Sequence, residues 1–252
     1  MRQFSYVLCL LLAVATSGCF EMLEDIYVNA DGSGQYQLTM DMSSMLEEGF
    51  MGDMMKQGMK DEMGVDKLEI DSLISLTDFQ EGALPPSLTE KDRDILDRTE
   101  VRLRMSESDA VGSVVIKFLF ASLGELNDFQ RTFAKLNENG GEASGMGGLM
   151  SSSTMTGSNS LWSLSGRTLK REVDSSESKS MMDGMDDETM SMMKMFMADA
   201  TFTTVYHLPG AVKKCTIEQA KVDGKTVTVS YGFLDMLEKT PNTGGEIKFK
   251  QK

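Results

Sequence analysis

The sequence predicts an α+β fold: an antiparallel β-sheet from N- and C-terminal strand pairs, packed by a few helices, with flexible Met/Gly/Ser-rich inserts. Three observations predict it. Segments near both ends alternate apolar and polar residues with period two, which turns one strand face to a core. Turn-forming residues separate them, as in Ala30-Asp31-Gly32-Ser33-Gly34. In mid-chain Leu123, Leu126, Phe129, Phe133 and Leu136 recur at helical spacing with polar residues between.

The elements follow in order. Ile26 to Asn29 and Gln35 to Met42 flank the first turn as a hairpin, with Tyr36, Leu38, Met40 and Met42 on one face. Ser43 or Ser44 is positioned to cap a helix in which Met51, Met55, Met59 and Met63 repeat every four residues. Leu68 to Phe79 reads as extended chain. After Pro85-Pro86, the pattern Ser87-Leu88-Thr89-Glu90 opens a short helix to about Leu96. Thr99 to Met105 and Val111 to Phe120 form a second hairpin, followed by the mid-chain helix. From Asn139 to Gly166 the composition falls to Gly, Ser, Met and Asn, an insert interrupted by Leu161-Trp162, which can dock back on the body. Arg167 to Val173 is one more strand, and a second insert covers about 174–197. Alternation resumes at Phe202, Thr204 and Tyr206. Val212 to Ala220 and Thr226 to Tyr231 are expected to pair across Asp223-Gly224. A helical turn at Leu234 to Lys239 precedes a last strand, Gly244 to Lys250.

The first residues carry an address. Arg2 precedes the apolar run Val7 to Ala15, too short to span a bilayer as a helix. It ends in Thr16-Ser17-Gly18-Cys19, small residues before a cysteine, as in the bacterial lipobox. Residues 1–18 are then a lipoprotein signal peptide, Cys19 the lipidated first residue, and 19–252 a single domain with the two inserts. Two or more acyl chains, at about 0.8 kcal/mol per buried methylene, anchor stably. Phe20 follows where an Asp would favour inner-membrane retention, so the expected location is the outer membrane, on its periplasmic or surface face. Glu21, Glu24 and Asp25 read as an acidic patch beside the anchor.

Composition excludes several classes. The formal net charge is −14, and loss of Arg2 with the leader takes it to −15. So acidic a body repels phosphate backbones, and nucleic acid is not an expected partner. With Cys9 removed and Cys19 acylated, Cys215 is left alone. An intramolecular disulfide and a Cys/His zinc site are both excluded, since only Cys215 and His207 remain.

Two segments, "IYVNADGSGQYQLTMDMS" and "YHLPGAVKKCTIEQAKVDGKTVTVSYGF", together with the middle "SLTEKDRDILDRTEVRLRMSESDAVGSVVIKFLFASLGELNDF", resemble the LppM-type domain of bacterial lipoproteins. The resemblance implies a strand pair just after the lipidated cysteine, a Leu-Pro-Gly step and a Gly-containing strand near the end. It also implies a sheet packed by helices on a lipid tether, and no catalytic residues.

The chemical inventory is thin. His207 is the one histidine and lies at a strand end, with no Gly-x-Ser-x-Gly elbow in the chain. Cys215 sits in an alternating strand, where a small apolar filler fits. Asp183, Asp186, Asp187 and Glu188 do not form an ordered calcium loop. Ser180 to Met197 holds eight methionines in eighteen residues. Thioethers suit Cu(I), which makes Met190, Met193 and Met197 soft-metal candidates. Methionine is equally the adaptable filler of hydrophobic contacts, and that is the preferred reading. The sequence therefore points to a non-enzymatic, lipid-anchored envelope protein, a binding or scaffold module with no cofactor and with an envelope protein or lipid as partner. The alternatives are a lipid- or glycolipid-binding module with a cleft between sheet and helices, and a periplasmic Cu(I)-binding protein.

Overall fold

Twelve described strands, most of them buried with period two, build two sheets that share one core. The computed structural model describes residues 20–46, 50–79, 85–138, 160–173, 191, 194, 197–235 and 243–250. The strands are β1 (Glu21–Val28), β2 (Gly34–Asp41), β3 (Glu69–Ser75), β4 (Glu100–Ser106), β5 (Val111–Phe120), β6 (Ser160–Ser165), β7 (Thr168–Val173), β8 (Thr201–His207), β9 (Val212–Cys215), β10 (Lys221–Asp223), β11 (Thr226–Gly232) and β12 (Gly245–Phe249). The helices are α1 (Phe50–Met63), α2 (Leu76–Phe79), α3 (Glu90–Asp97) and α4 (Leu123–Glu138).

The large sheet runs β10-β11-β8-β1-β2-β5-β4-β3, and the small one β6-β7-β12-β9. Every described pair is antiparallel except β1 with β8, which is parallel. The class is α+β, as expected. Strands from the two halves of the chain meet at this parallel pair, a joint that alternation alone does not reveal.

The first hairpin forms as read. Asp31 Oδ1 accepts the Ser33 N–H at 3.0 Å and the Ser33 hydroxyl at 2.7 Å, closing the turn. Gly34 cannot be replaced without moving backbone, because a Cβ there would lie 1.9 Å from the Tyr27 carbonyl oxygen. Tyr36, Leu38, Met40 and Met42 are all buried. The α4 stripe is buried too, and its Phe129 stacks on Phe118 of β5 at 4.7 Å between ring centres. Among the described residues, no helix is long and apolar enough to cross a membrane.

Several expectations need correction. Val212–Cys215 does not pair with Thr226–Gly232: β9 joins β12 in the small sheet, and β10 pairs β11. The divergence starts at the Leu208-Pro209-Gly210 step. There the chain leaves the large sheet, and Gly210 comes so near β12 that a Cβ would meet the Lys250 carbonyl oxygen at 1.8 Å. The extended chain from Leu68 ends at Ser75 and turns into α2. The Ser43 site opens a 3-10 turn, Ser43–Leu46, before α1, and Asp41 does the capping through the Ser43 N–H at 2.9 Å. The end of the first insert is a strand: β6 places Leu161-Trp162 against β7, while residues 139–159 lie outside those described. Within α1, Met59 is buried and Met54 exposed; the Met51, Met55 and Met63 side chains lie outside the description.

The α3 cap is Thr89, and its partner is Asp92 rather than the Glu90 of the four-residue pattern. The Thr89 N–H donates to Asp92 Oδ2 at 2.8 Å, and the Asp92 N–H returns to Thr89 Oγ1 at 3.3 Å. The same carboxylate accepts Thr132 Oγ1–H and Lys135 Nζ from α4, each at 2.7 Å, so one side chain caps α3 and ties it to α4. Burial pushes the Asp92 carboxyl upward, but Lys135 and the Thr89 and Thr132 donors outweigh it and hold it well below the usual range. A carboxyl depressed in the folded state stabilises above its unfolded value, about 3.9, and that contribution falls away as pH drops below it. The Asp92→Asn variant is therefore expected to be less stable than the parent at pH 7, with the gap closing as pH falls below about 4. Urea midpoints across pH 2–7 check this; a gap that stays constant would contradict it.

Candidate functional site, an ion pair buried between the two sheets

Strand phase places Glu24 inside. Met22, Glu24, Ile26 and Val28 share the buried face of β1. The expected acidic patch is thus split: Glu21 is exposed, whereas Glu24 faces the core. Its counterion comes from the small sheet. Arg171 of β7 lies in phase with Leu169 and is 5 % exposed. Arg171 Nη1 donates to Glu24 Oε2 at 2.9 Å and to the Tyr206 hydroxyl at 3.1 Å, and Nε donates to Ser160 Oγ at 2.9 Å. Thr204, the register partner of Glu24 on β8, donates its hydroxyl to the same Oε2 at 2.8 Å. The guanidinium carbon stands 4.8 Å from the Trp162 ring centre, a cation–π contact inside the core.

The neighbours feel this charge pair. Burial pulls the Arg171 guanidinium downward, but Glu24 and the Tyr206 phenol more than compensate and hold it above its ordinary value. Tyr36 is pushed well above the usual phenol range by burial, then by Glu24. Burial also raises Tyr206, against the pull of Arg171, and pushes Tyr231 up to about 12.

Among the described residues, Glu24 Oε1, Gln130 Nε2 and Trp162 Nε1 are buried here with no hydrogen-bond partner. Gln130 also lines a cavity under α4, with Tyr36, Leu38, Ile116, Phe129 and Phe133. Its volume is about 10 Å³, close to what a single water needs and far below a lipid or a sugar. Next to it α4 clips the edge strand β6. The Asn127 side chain donates to the Trp162 carbonyl at 2.9 Å and accepts the Trp162 N–H at 2.7 Å. The arrangement can bind two sheets and a helix into one body.

The residues singled out from the sequence are elsewhere. His207 lies on the opposite face of the large sheet, its Nε2 2.7 Å from Asp25 Oδ1 and its ring stacked on Tyr27 at 4.0 Å. Cys215 is half-buried and unbridged, and burial pushes its thiol up, away from the reactive thiolate. Met197 is buried in the core. Met190, Met193, Cys19 and the acidic residues 183, 186, 187 and 188 lie outside the described residues. Among the described residues no group of three or more His, Cys, Asp or Glu side chains is placed to hold a metal ion. Sequence reasoning missed Glu24–Arg171. The signal was there: each is a charge in the apolar phase of an alternating strand.

No family model matches the chain, and no curated protein matches it. Among solved structures it is similar to the folded domain of LppM from Mycobacterium tuberculosis, determined by NMR. That similarity has a TM-score of 0.41 and 10 % identity, and it covers 93 % of this chain and 92 % of that one. Likeness at this level carries neither activity nor partner across.

Proposed function

We propose that this protein is a non-enzymatic, lipid-anchored component of the bacterial cell envelope, a binding or scaffold module held to the outer membrane through Cys19. One observation carries the reading. The Ser17-Gly18-Cys19 step, at the end of a short apolar run, stands immediately before Phe20, which is buried, and β1. A signal-type segment that stops at a cysteine on the threshold of the folded body is what an acyl anchor requires. The interior supports a scaffold role: Glu24 of the large sheet and Arg171 of the small sheet neutralise one another where the two sheets meet. The acidic balance opposes nucleic acid as a partner.

The test is the Cys19→Ala variant of the full chain expressed in a Gram-negative cell fed a fatty-acid analogue. The parent is expected to incorporate label and sediment with membranes; the variant is expected to lose the label and leave the membrane fraction. Undiminished labelling of the variant overturns the reading.

A further inference from the structure

The distance between anchor and fold has a structural consequence. Phe20 is 1 % exposed, and its carbonyl accepts the Thr201 N–H at 3.0 Å. One trans peptide, about 3.8 Å between Cα atoms, separates it from Cys19. No linker intervenes, so an acyl group on Cys19 holds this end of the large sheet within roughly 10 Å of the lipid headgroups.

Strand register shows what stands at that end. Glu21 pairs with Asp41 and with Thr201; Asp41 pairs with Ser113, and Thr201 with Gly232. Asp41 leads through Met42 and the Ser43–Leu46 turn into α1. The α1 helix then follows the same rim toward β4, where Lys60 Nζ meets Glu107 Oε1 at 2.9 Å. Gly232 leads to Phe233 and Leu234. The Phe233 N–H donates to the Ala200 carbonyl at 2.9 Å, and the Ala200 N–H to that of Met197 at 3.0 Å. The methionine-bearing α1 and the last residue of the methionine cluster thus lie on the rim nearest Cys19. Two large apolar side chains are exposed there, Met54 at 54 % and Leu234 at 41 %. Glu21, Asp41, Asp53 and Asp199 are exposed on the same side, so attraction to anionic headgroups does not drive a contact.

We infer that this rim is a membrane-contact surface, with Met54 and Leu234 as apolar contacts against the neutral phospholipid surface that holds the anchor. The inference rests on the proposed acylation of Cys19 for its setting. The tether keeps the rim at the interface, and apolar side chains held there gain by entering the headgroup–acyl boundary.

The experiment uses the full chain expressed in a Gram-negative cell and recovered from it. Peptide mass at Cys19 reads the anchor by itself. If Cys19 is unacylated, the anchor reading fails; the protein, as the Cys9→Ser/Cys215→Ser variant, is then coupled at Cys19 to a maleimide lipid so that the contact is still measured. Met54→Trp, Leu234→Trp and, as a control at the far end of the sheet, Leu119→Trp are tethered to phosphatidylcholine vesicles with brominated acyl chains. Leu119 is 60 % exposed and pairs with Gln35 beside the first hairpin turn. The parent, whose Trp162 is buried, supplies the background. Lipid quenching of the added Trp at 54 and at 234 is expected to be roughly threefold or more that at 119. Equal quenching at the three sites overturns the inference. Peroxide oxidation of Met54, followed by peptide mass, reads the same contact without a substitution. It is expected to slow on tethering, and an unchanged rate overturns the inference as well.

Discussion

Replacing Arg171 with methionine is expected to destabilise the protein by about 3–5 kcal/mol. Methionine keeps much of the length and removes the charge. What remains is Glu24, 7 % exposed, having lost Nη1 as donor, together with a Tyr206 hydroxyl and a Ser160 hydroxyl that also lose Arg171. The cost comes mainly from leaving a carboxylate uncompensated in a low-dielectric interior, and less from the absolute worth of the pair. Adding Glu24→Gln to Arg171→Met is therefore expected to restore a large part of the loss, because the second change removes the stranded charge. Urea unfolding of parent, both single variants and the double variant closes the cycle. A double variant as unstable as the sum of the singles would show that the two residues do not act as a pair.

Truncating Phe129 to alanine is expected to cost about 3–5 kcal/mol. Phe129 is the hub of the aromatic cluster that docks α4. Its ring centre is 4.7 Å from Phe118, 5.4 Å from Tyr36 and 5.9 Å from Phe133. Removal takes the Phe129 ring from each of these contacts and enlarges the cavity of about 10 Å³ that Phe129 lines, so transfer and cavity effects add. The midpoint of urea unfolding measures the cost. A loss under about 1 kcal/mol would mean that the α4 stripe is not packed as described. The enlarged cavity also probes the alternative of a lipid-binding cleft. If the parent is closed to such ligands, only the variant is expected to gain binding of a small apolar probe such as benzene.

Much of the α4–sheet core was legible because each part announces itself locally. The alternation in Tyr36, Leu38 and Met40 and the spacing of Leu126, Phe129 and Phe133 state which face is buried before any partner is known. The Asp31–Ser33 turn closes with its own side chains. The candidate site was less legible. Glu24 looked like part of an acidic run beside Glu21 and Asp25, and only its strand phase marked it as inward. Its donor lies 147 residues away, in a segment where nothing in the local pattern names β1 as its neighbour. The Thr89 cap was displaced for a related reason. Ser87 and Thr89 both precede acidic residues, and the choice fell to Asp92 because that side chain also meets Thr132 and Lys135 of α4.

The sequence by itself determined the strand and helix faces, most of the turns, the acidic balance and the Ser17-Gly18-Cys19 step that bears on where the protein works. These depend on residues within a few positions of one another. Only the tertiary structure decided that β1 runs parallel to β8, that β9 leaves β11 for β12, and that Glu24 and Arg171 share one interior. Strand edges present the same backbone donors and acceptors whatever the side chains. The entropy of closing a loop grows only slowly with its length, so a distant strand competes almost evenly with a near one. The choice falls to the packing of whole faces, with Arg171 over Trp162 and against Glu24, and packing exists only once the chain has folded.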